Sequence, residues 1–361
     1  MENFPKKEFA KVVQSGLDGS PTAFALSVGR LIAKLKHVDL GLAQELSAML
    51  PAGGALRGVG AFTPAPVDMD SRMQLVEVLY PVILDRQPVL APKIKASLDA
   101  CLKEWASIDV LLKEGLAPAR MLLFCGLPGT GKTMAGHWLA QELKLPLLTL
   151  NLATVMSSYL GKTGNNLKAV FDHAVSRPCV LLLDEFDAIA KRRDDGSDVG
   201  ELKRLVNVLL QALDEWPSNS MLVAATNHGE LLDPAVWRRF DMVAHFESPN
   251  ANLIARYLEE LPITETVRGS LATLMEGESF SAIGALVLSA RKHALLERTE
   301  LQPQLVRLVV HSCIDRGAMA KPLDGEMLLM HLEGYSRREI ATHFGKTHPT
   351  VSSVIKRYLG E

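Results

Sequence analysis

Gly126-Leu127-Pro128-Gly129-Thr130-Gly131-Lys132-Thr133 is a complete G-x-x-x-x-G-K-T loop. Its surroundings decide how it is read. The apolar run Met121-Leu-Leu-Phe-Cys125 precedes it as a buried strand, and a helical pattern from Met134 to Leu143 follows. The loop's chemistry needs that strand, tight turn and helix start. Glycines let backbone N–H groups turn inward onto phosphate, where a helix N-terminus adds its positive dipole. Lys132 is placed to reach the β- and γ-phosphates, and the Thr133 hydroxyl to bind Mg²⁺. The expected nucleotide-binding residues are Gly126, Pro128, Gly129, Thr130, Gly131, Lys132, Thr133 and Met134, and the expected ligand is a nucleoside triphosphate.

About fifty residues on, Val180-Leu-Leu-Leu-Asp184-Glu185 is an apolar strand ending in two acids. The spacing predicts a strand adjacent to the loop strand, with its carboxylates at the C-terminal edge where open sheets bind nucleotides. Asp184 is expected to hold Mg²⁺, directly or through water, and Glu185 to polarise the attacking water. A further buried run, Met221-Leu-Val-Ala-Ala-Thr226-Asn227, ends in an amide that can hydrogen-bond that water, or simply form an Asx-turn.

These motifs, followed by Leu232-Asp233-Pro234-Ala235 and Arg238-Arg239-Phe240-Asp241, resemble the AAA family of ATPases within the wider AAA+ class, over roughly residues 85–315. The resemblance implies ATP as nucleotide, Thr133 and Asp184 on Mg²⁺, Glu185 as water activator and Asn227 as first sensor. It also implies a homo-oligomeric ring, usually a hexamer, in which Arg238 and Arg239 are arginine fingers reaching a neighbour's γ-phosphate. Family members commonly separate these two arginines by two residues, whereas here they are adjacent. Either is a candidate finger; Arg239, directly before Phe240-Asp241, is favoured, with the other pairing locally with Asp241 or Asp233. A second departure lies in Glu278-Ser-Phe280-Ser281-Ala-Ile-Gly-Ala285, where the family usually has a Ser-Gly-Ala-Asp run: Phe280 falls at the usual glycine. No lid arginine is assigned; Arg291 is a candidate by position alone.

Met156-Ser-Ser-Tyr159-Leu160-Gly161 resembles the first pore loop of protein-remodelling AAA members, in which an aromatic-aliphatic-glycine triplet faces a central channel. Tyr159 and Leu160 would grip extended polypeptide by apolar contact, with glycine keeping the loop mobile. The polar stretch Asp194–Gly200 matches a second pore-side loop, its charges solvated.

The rest of the chain places this core among flanking modules. Residues 1–50 carry helical periodicity, with Phe9, Val12, Val13 and Leu17 at i, i+3, i+4 spacing, and are expected to form a small helical N-terminal domain. The Pro/Gly-rich 51–80 reads as a linker. Alternating strands and helices over 81–248 predict a large α/β subdomain, 249–318 a helical lid subdomain, and 319–361 a last helical module. The strand candidates are Met121–Cys125, Leu147–Asn151, Val180–Leu183, Met221–Ala225 and Met242–Phe246. The fold class is α/β: an AAA+ P-loop ATPase domain on a doubly wound parallel sheet with an α-helical lid, flanked by the two smaller helical modules.

The last module has its own signature. In residues 337–356 Ala341 is small where two helices would cross, Gly345 turns the chain, and Val351 and Val354 face a core, as in a helix-turn-helix. Leu328, Leu329 and Leu332 supply a preceding helix. Thr347, His348, Thr350, Ser352, Ser353 and Lys356 are candidate DNA contacts on a recognition helix, with Arg337, Arg338, Lys346 and Arg357 toward phosphates. Residues 320–361 hold six Lys/Arg against five Asp/Glu, a weak basic balance, so the module equally suits protein docking.

Bulk properties exclude other classes. The chain of 361 residues is 48% hydrophobic and 22% charged, with net charge −2, so any DNA-binding surface is local. Four scattered cysteines show no metal-ligand spacing, and a reducing cytosol without disulfides is expected. The N-terminus lacks the apolar stretch of a signal peptide, and no run approaches the roughly 18–20 apolar residues that span a bilayer. The leading expectation is a Mg-ATP-dependent ring that remodels or threads a protein substrate, or delivers it to a partner. The alternative is a DNA-associated AAA+ ATPase, a mobile-element, transposition or defence regulator; a third is a nucleotide-controlled scaffold. Tyr159 favours the first, the C-terminal module the second, and an intact Glu185 weighs against the third.

Overall fold

The computed structural model describes residues 5–17, scattered positions between 27 and 46, 66–67, 74–152, 163–188, 199–319 and 321–360. The candidate pore loop, Tyr159 and Leu160, lies outside the described residues, as do residues 194–198 of the second loop.

The first compact body gathers the sheet. Its strands are β1 (Glu77–Leu79), β2 (Met121–Gly126), β3 (Leu147–Asn151), β4 (Val180–Asp184), β5 (Met221–Thr226) and β6 (Met242–Phe246). Their spatial order is β1-β3-β4-β5-β2-β6. The pairs β3–β4, β4–β5 and β5–β2 are parallel, while β1 runs antiparallel on β3. All six residues of β5 are buried, as are the first five of β2 and four of β4. Strands covered on both faces need apolar side chains on both, which is why they read as unbroken hydrophobic runs.

The strand carrying Asp184 is not adjacent to the loop strand. β5, which ends in Thr226, lies between β4 and the loop strand β2. In a doubly wound sheet, a later strand can insert between two earlier ones, and sequence spacing does not reveal it. β1 also falls inside the stretch read as linker: three residues on the sheet edge, alternately exposed, give too short a pattern to read.

The crossover helices include α4 (Lys132–Leu143), α5 (Thr163–Val175) and α6 (Val199–Asp214), after α1 (Lys6–Leu17), α2 (Pro92–Ala106) and α3 (Ile108–Lys113). The core of this body runs from Leu123, Leu150 and Leu183 through Phe171, Phe186 and Trp216, with Phe171 edge-on to Trp216. Toward the N-terminus, Val12 of α1 packs on a small separate cluster of Leu31 and Leu35, whereas Phe9 and Val13 are exposed.

The second compact body comprises Pro88–Lys95, Gly126–Lys132 and His245–Glu361. It contains α8 (Ala251–Tyr257), α9 (Glu265–Leu274), α10 (Phe280–Glu297), α11 (Leu301–Asp315), α12 (Pro322–Leu332), α13 (Arg337–His343) and α14 (His348–Leu359). One apolar core serves all seven: Leu271, Met275, Ile283, Val309 and Cys313 are in the same cluster as Met327, Ile340, Val351 and Ile355. The lid and the helix-turn-helix, read as separate segments meeting at residue 319, therefore share a single core. Among the described residues no helix is long and apolar enough to cross a membrane.

Candidate active site

β2 delivers the chain into the phosphate loop at Gly126, whose φ is +151°. A Cβ there would stand 2.0 Å from the Phe246 carbonyl oxygen, so only glycine lets β6 approach this closely. Gly129 is left-handed, φ +72°. Within the loop, Thr130 is buried and its hydroxyl donates to the Leu127 carbonyl at 2.8 Å. Lys132 is also buried, with Nζ donating to the Gly126 and Leu127 carbonyls, both at 2.8 Å. An ammonium held over the loop by carbonyls is poised to exchange them for phosphate oxygens. Leu127 and Met134 are exposed apolar side chains flanking the turn. Thr133, in the first turn of α4, donates its hydroxyl to Asp184 Oδ2 at 3.0 Å. A hydroxyl and a carboxylate converging in this way are hard oxygen donors that fit Mg²⁺.

Glu185 follows on the C-terminal end of β4, with φ +53° and its amide donating to Asp184 Oδ1 at 2.9 Å. A left-handed non-glycine residue costs about 1–3 kcal/mol and persists only where its surroundings enforce it. The consequence is an exposed carboxylate with no partner among the described residues.

What enforces that turn was missed in the sequence. Phe186 is buried and its amide donates to the Ala225 carbonyl at 2.9 Å. Asp187, 3% exposed, accepts from Thr226 Oγ1 at 3.4 Å and from the Asn227 amide at 3.3 Å. Thr226 Oγ1 in turn accepts from the His228 amide at 3.0 Å. Asp187 thus ties the end of β4 to the end of β5 through the Thr226 hydroxyl and the Asn227 backbone amide. The available signal was an acid between Phe186 and Ala188, since a buried carboxylate needs partners. A hydrogen bond to a charged group contributes about 1.5–3 kcal/mol, equivalent to roughly tenfold or more in rate if spent on orientation. We expect Asp187→Ala to lower kcat about tenfold with ADP affinity unchanged and Asp187→Asn to recover part of it. Thermal destabilisation with an unchanged kcat would make the residue merely structural.

The two arginines are sorted by their contacts. Arg239 forms a bidentate pair with Asp214, Nε to Oδ1 at 2.8 Å and one terminal nitrogen to Oδ2 at 3.0 Å; the other donates to the Ala235 carbonyl at 2.7 Å. The pairing holds the Asp214 carboxyl below its usual range and raises the Arg239 guanidinium. Arg238, at the end of α7 (Pro234–Trp237), is exposed, with no side-chain partner among the described residues. Arg239, the favoured finger candidate, is thus engaged within its own chain. Asp233 caps α7 through the Ala235 amide, and Asp241 accepts from the Arg120 and Met121 amides.

In the second body, Gly129 meets the start of α10. The Ser281 amide donates to the Gly129 carbonyl at 3.3 Å, and a Cβ on Gly129 would lie 2.7 Å from Ser281 Cβ. Ser279 caps α10 by accepting from the Ala282 amide, and Glu278 pairs with Arg316. Phe280, at the usual glycine, stacks on Tyr257 with ring centroids 5.3 Å apart. Arg291 is exposed.

The C-terminal helices form a helix-turn-helix. Ser336 opens α13 with a capping box to Glu339, Gly345 turns the chain at φ +59°, and α14 buries Val351, Val354 and Ile355. Thr347, His348, Thr350, Ser353 and Lys356 are exposed. Ser352 is half-buried, its Oγ enclosed with no hydrogen-bond partner among the described residues.

The model of the "ATPase family associated with various cellular activities (AAA)" matches residues 122–248, and that of a "Homeodomain-like domain" matches 325–361. An uncharacterized AAA family ATPase, y4kL, of Sinorhizobium fredii is 37% identical over 267 residues, 71% of this chain and 79% of that protein. The chain belongs to the AAA family of ATPases. Other AAA-region relatives are more distant. The chloroplastic ATP-dependent zinc metalloprotease FTSH 7 of Arabidopsis thaliana is 30% identical over 54% of this chain and 26% of that protein. The peroxisomal ATPase pex6 of Schizosaccharomyces pombe is 33% identical over 44% and 18% respectively. The crystal structure of the FIGL-1 AAA domain shares the fold, with TM-score 0.51 and 23% identity over 62% of this chain and 76% of that one. Membership of this AAA family supports nucleotide binding and hydrolysis in general, and the second match assigns the C-terminal region a homeodomain-like helix-turn-helix.

Proposed function

We propose that this AAA protein is a Mg-ATP-dependent ATPase that acts on duplex DNA through α13 and α14. The observation that carries the DNA reading is the distribution of charge across the module. Residues 337–357 hold Arg337, Arg338, Lys346, Lys356 and Arg357 against a single acid, Glu339. Glu339 is itself engaged, accepting from the Ser336 amide at 2.8 Å. Of the acids that made the module look balanced, Asp324 is buried against Tyr358 and Arg357, and Glu333 pairs with Arg307 of α11. Arg338, Lys346 and Lys356 are exposed with no ion-pair partner among the described residues, and phosphate contact draws on such cations.

The chemistry follows from the site. Loop amides and Lys132 bind the triphosphate, and Thr133 with Asp184 holds Mg²⁺, which when bound neutralises charge developing on the phosphates. Glu185 takes a proton from the attacking water while Asn227 orients it. Water oxygen bonds the γ-phosphorus, the bond to the β-phosphate bridging oxygen breaks, and ADP and phosphate leave. Arg238 completes the site of a neighbouring subunit, which makes a homo-oligomeric ring, in the family pattern a hexamer, the working form.

The second reading, a ring that remodels protein, draws on the similarity to FTSH 7, an ATP-dependent metalloprotease, and on Tyr159 and Leu160. The four cysteines are free and buried among the described residues, which suits the reducing cytosol proposed as its compartment.

Duplex DNA is expected to stimulate hydrolysis under the DNA reading. Replacing Arg338, Lys346 and Lys356 together by Ala should weaken binding at every sequence and reduce the salt slope by roughly 0.9 per lost phosphate contact. Substitution is preferred to truncation because removing α12–α14 would strip the lid core. Binding unaffected by the triple substitution would refute the DNA reading.

A further inference from the structure

The side of α14 that faces solvent is unlike that of a helix that reads sequence. Val351, Val354, Ile355 and Leu359 turn into the core. Thr350, Ser353 and Lys356 are exposed and form a stripe at i, i+3 and i+6 on the other side. In a helix-turn-helix the N-terminal residues of the second helix meet base edges, while the first helix crosses the backbone. Discrimination between base pairs comes chiefly from bidentate side chains, Arg or Lys on guanine and Asn or Gln on adenine. α14 contains neither Asn nor Gln, and its first arginine is Arg357, in the last turn. Over the first two turns the exposed polar groups are the His348 imidazole and the Thr350 and Ser353 hydroxyls. A hydroxyl both donates and accepts, so it suits any base edge, and a phosphate oxygen equally. Thr350 is further engaged, its Oγ1 lying 2.9 Å from Thr347 Oγ1. The cations stand to the side of that stretch: Arg338 on α13, Lys346 in the turn and Lys356 in the last turn of α14. Arg357 lies 3.8 Å from Asp324. Contacts of such cations with phosphate position a duplex and carry no sequence information.

We infer that α13–α14 binds duplex DNA of any sequence, and that Ser353, at the centre of the exposed stripe, is the position that sets this tolerance. The inference rests on the DNA reading for its ligand and adds to it the class of duplex bound. A short hydroxyl side chain at Ser353 lets the helix lie close in a groove while offering one hydrogen bond that every base pair can satisfy. Affinity is then supplied by phosphate contacts, and it is multiplied where several subunits engage one duplex.

Fluorescence anisotropy of the full chain with labelled duplexes of equal length and different sequence measures the spread of affinities. Sequencing of duplexes selected from a random library reveals any preferred motif. The spread is expected to stay within about fivefold, the least that one mismatched pair costs a sequence reader, against a preference of roughly 10³–10⁷ for a module with a specific site. One salt slope should describe all the duplexes, and no motif should be enriched. Ser353→Arg supplies the converse. A guanidinium there can bond O6 and N7 of one guanine together, and should create a preference for guanine at one position of about 5- to 150-fold. Ser353→Lys, which pairs with the same two atoms, serves if the arginine variant does not fold. Ser353→Ala should leave the spread as narrow as in the wild-type chain. A motif enriched by the wild-type chain, or no guanine preference in the folded arginine or lysine variant, would overturn the inference and leave the DNA reading standing. No binding to any duplex would refute the DNA reading and the inference with it, so the two failures are distinct.

Discussion

Arg238→Ala is expected to lower kcat by about 10³–10⁵, the range over which a trans guanidinium accelerates phosphoryl transfer, whereas Arg239→Ala leaves turnover nearly intact. The contrast comes from commitment. Arg239 spends both faces of its guanidinium inside its own chain, on Asp214 and the Ala235 carbonyl. Moving it to a neighbour's phosphate would break those bonds. Arg238 is exposed at the end of the short α7, with no side-chain partner among the described residues. Losing the exposed Arg239–Asp214 pair costs stability within the usual range of about 0–1 kcal/mol for such pairs. Mixing subunits tests action in trans. Arg238→Ala keeps Glu185 but lacks the finger, and Glu185→Gln keeps the finger but lacks the base. Mixed rings should recover part of the activity that neither variant has alone. No recovery on mixing, or loss of turnover in Arg239→Ala instead, would return the assignment to the other arginine or to a local role.

Glu185→Gln is expected to reduce hydrolysis by about 10²–10⁴ while ATP still binds, because general-base catalysis contributes about that much. The substitution keeps the shape and removes only the basicity. It should therefore preserve the left-handed turn at Glu185, whose amide is held by Asp184 Oδ1. Binding is measured with a fluorescent ATP analogue and turnover by phosphate release. Hydrolysis at the native rate would show that another group activates water. Lost binding would show instead that the carboxylate holds the loop together. Nucleotide trapped by this variant also stabilises any ring for mass measurement, as ligand binding to the folded state always does.

Much of the ATP site was legible because its residues act through local backbone geometry. A glycine turn, a lysine and a threonine at fixed spacing after an apolar strand form a phosphate cradle in nearly any surroundings. The strand candidates were equally readable, since β2, β4 and β5 are covered on both faces and so carry unbroken apolar runs. The helix-turn-helix was visible from local pattern too: Ala341 is small in α13, Gly345 turns the chain, and Val351 and Val354 lie at i, i+3 in α14.

Illegible were the features that depend on which distant segment arrives beside a residue. Asp187 looked like any acid after a strand until Thr226 and Asn227 came within hydrogen-bond reach of it. The engagement of Arg239 depends on Asp214, which lies 25 residues away from it and shares no motif with it. The six-to-five charge count of the last module does not reveal that Asp324 is turned inward while Arg338, Lys346 and Lys356 are exposed.

The sequence by itself determined that this chain carries an AAA nucleotide site on an α/β sheet and ends in a helix-turn-helix, because short-range patterns set by strand and helix repeats encode those elements. Only the tertiary structure decided that β5 intervenes between the acids and the loop strand, that Arg239 is an internal tie, and that lid and helix-turn-helix are one body. Those outcomes follow from burying apolar faces contributed by segments far apart in the chain, a requirement that no local window of residues contains.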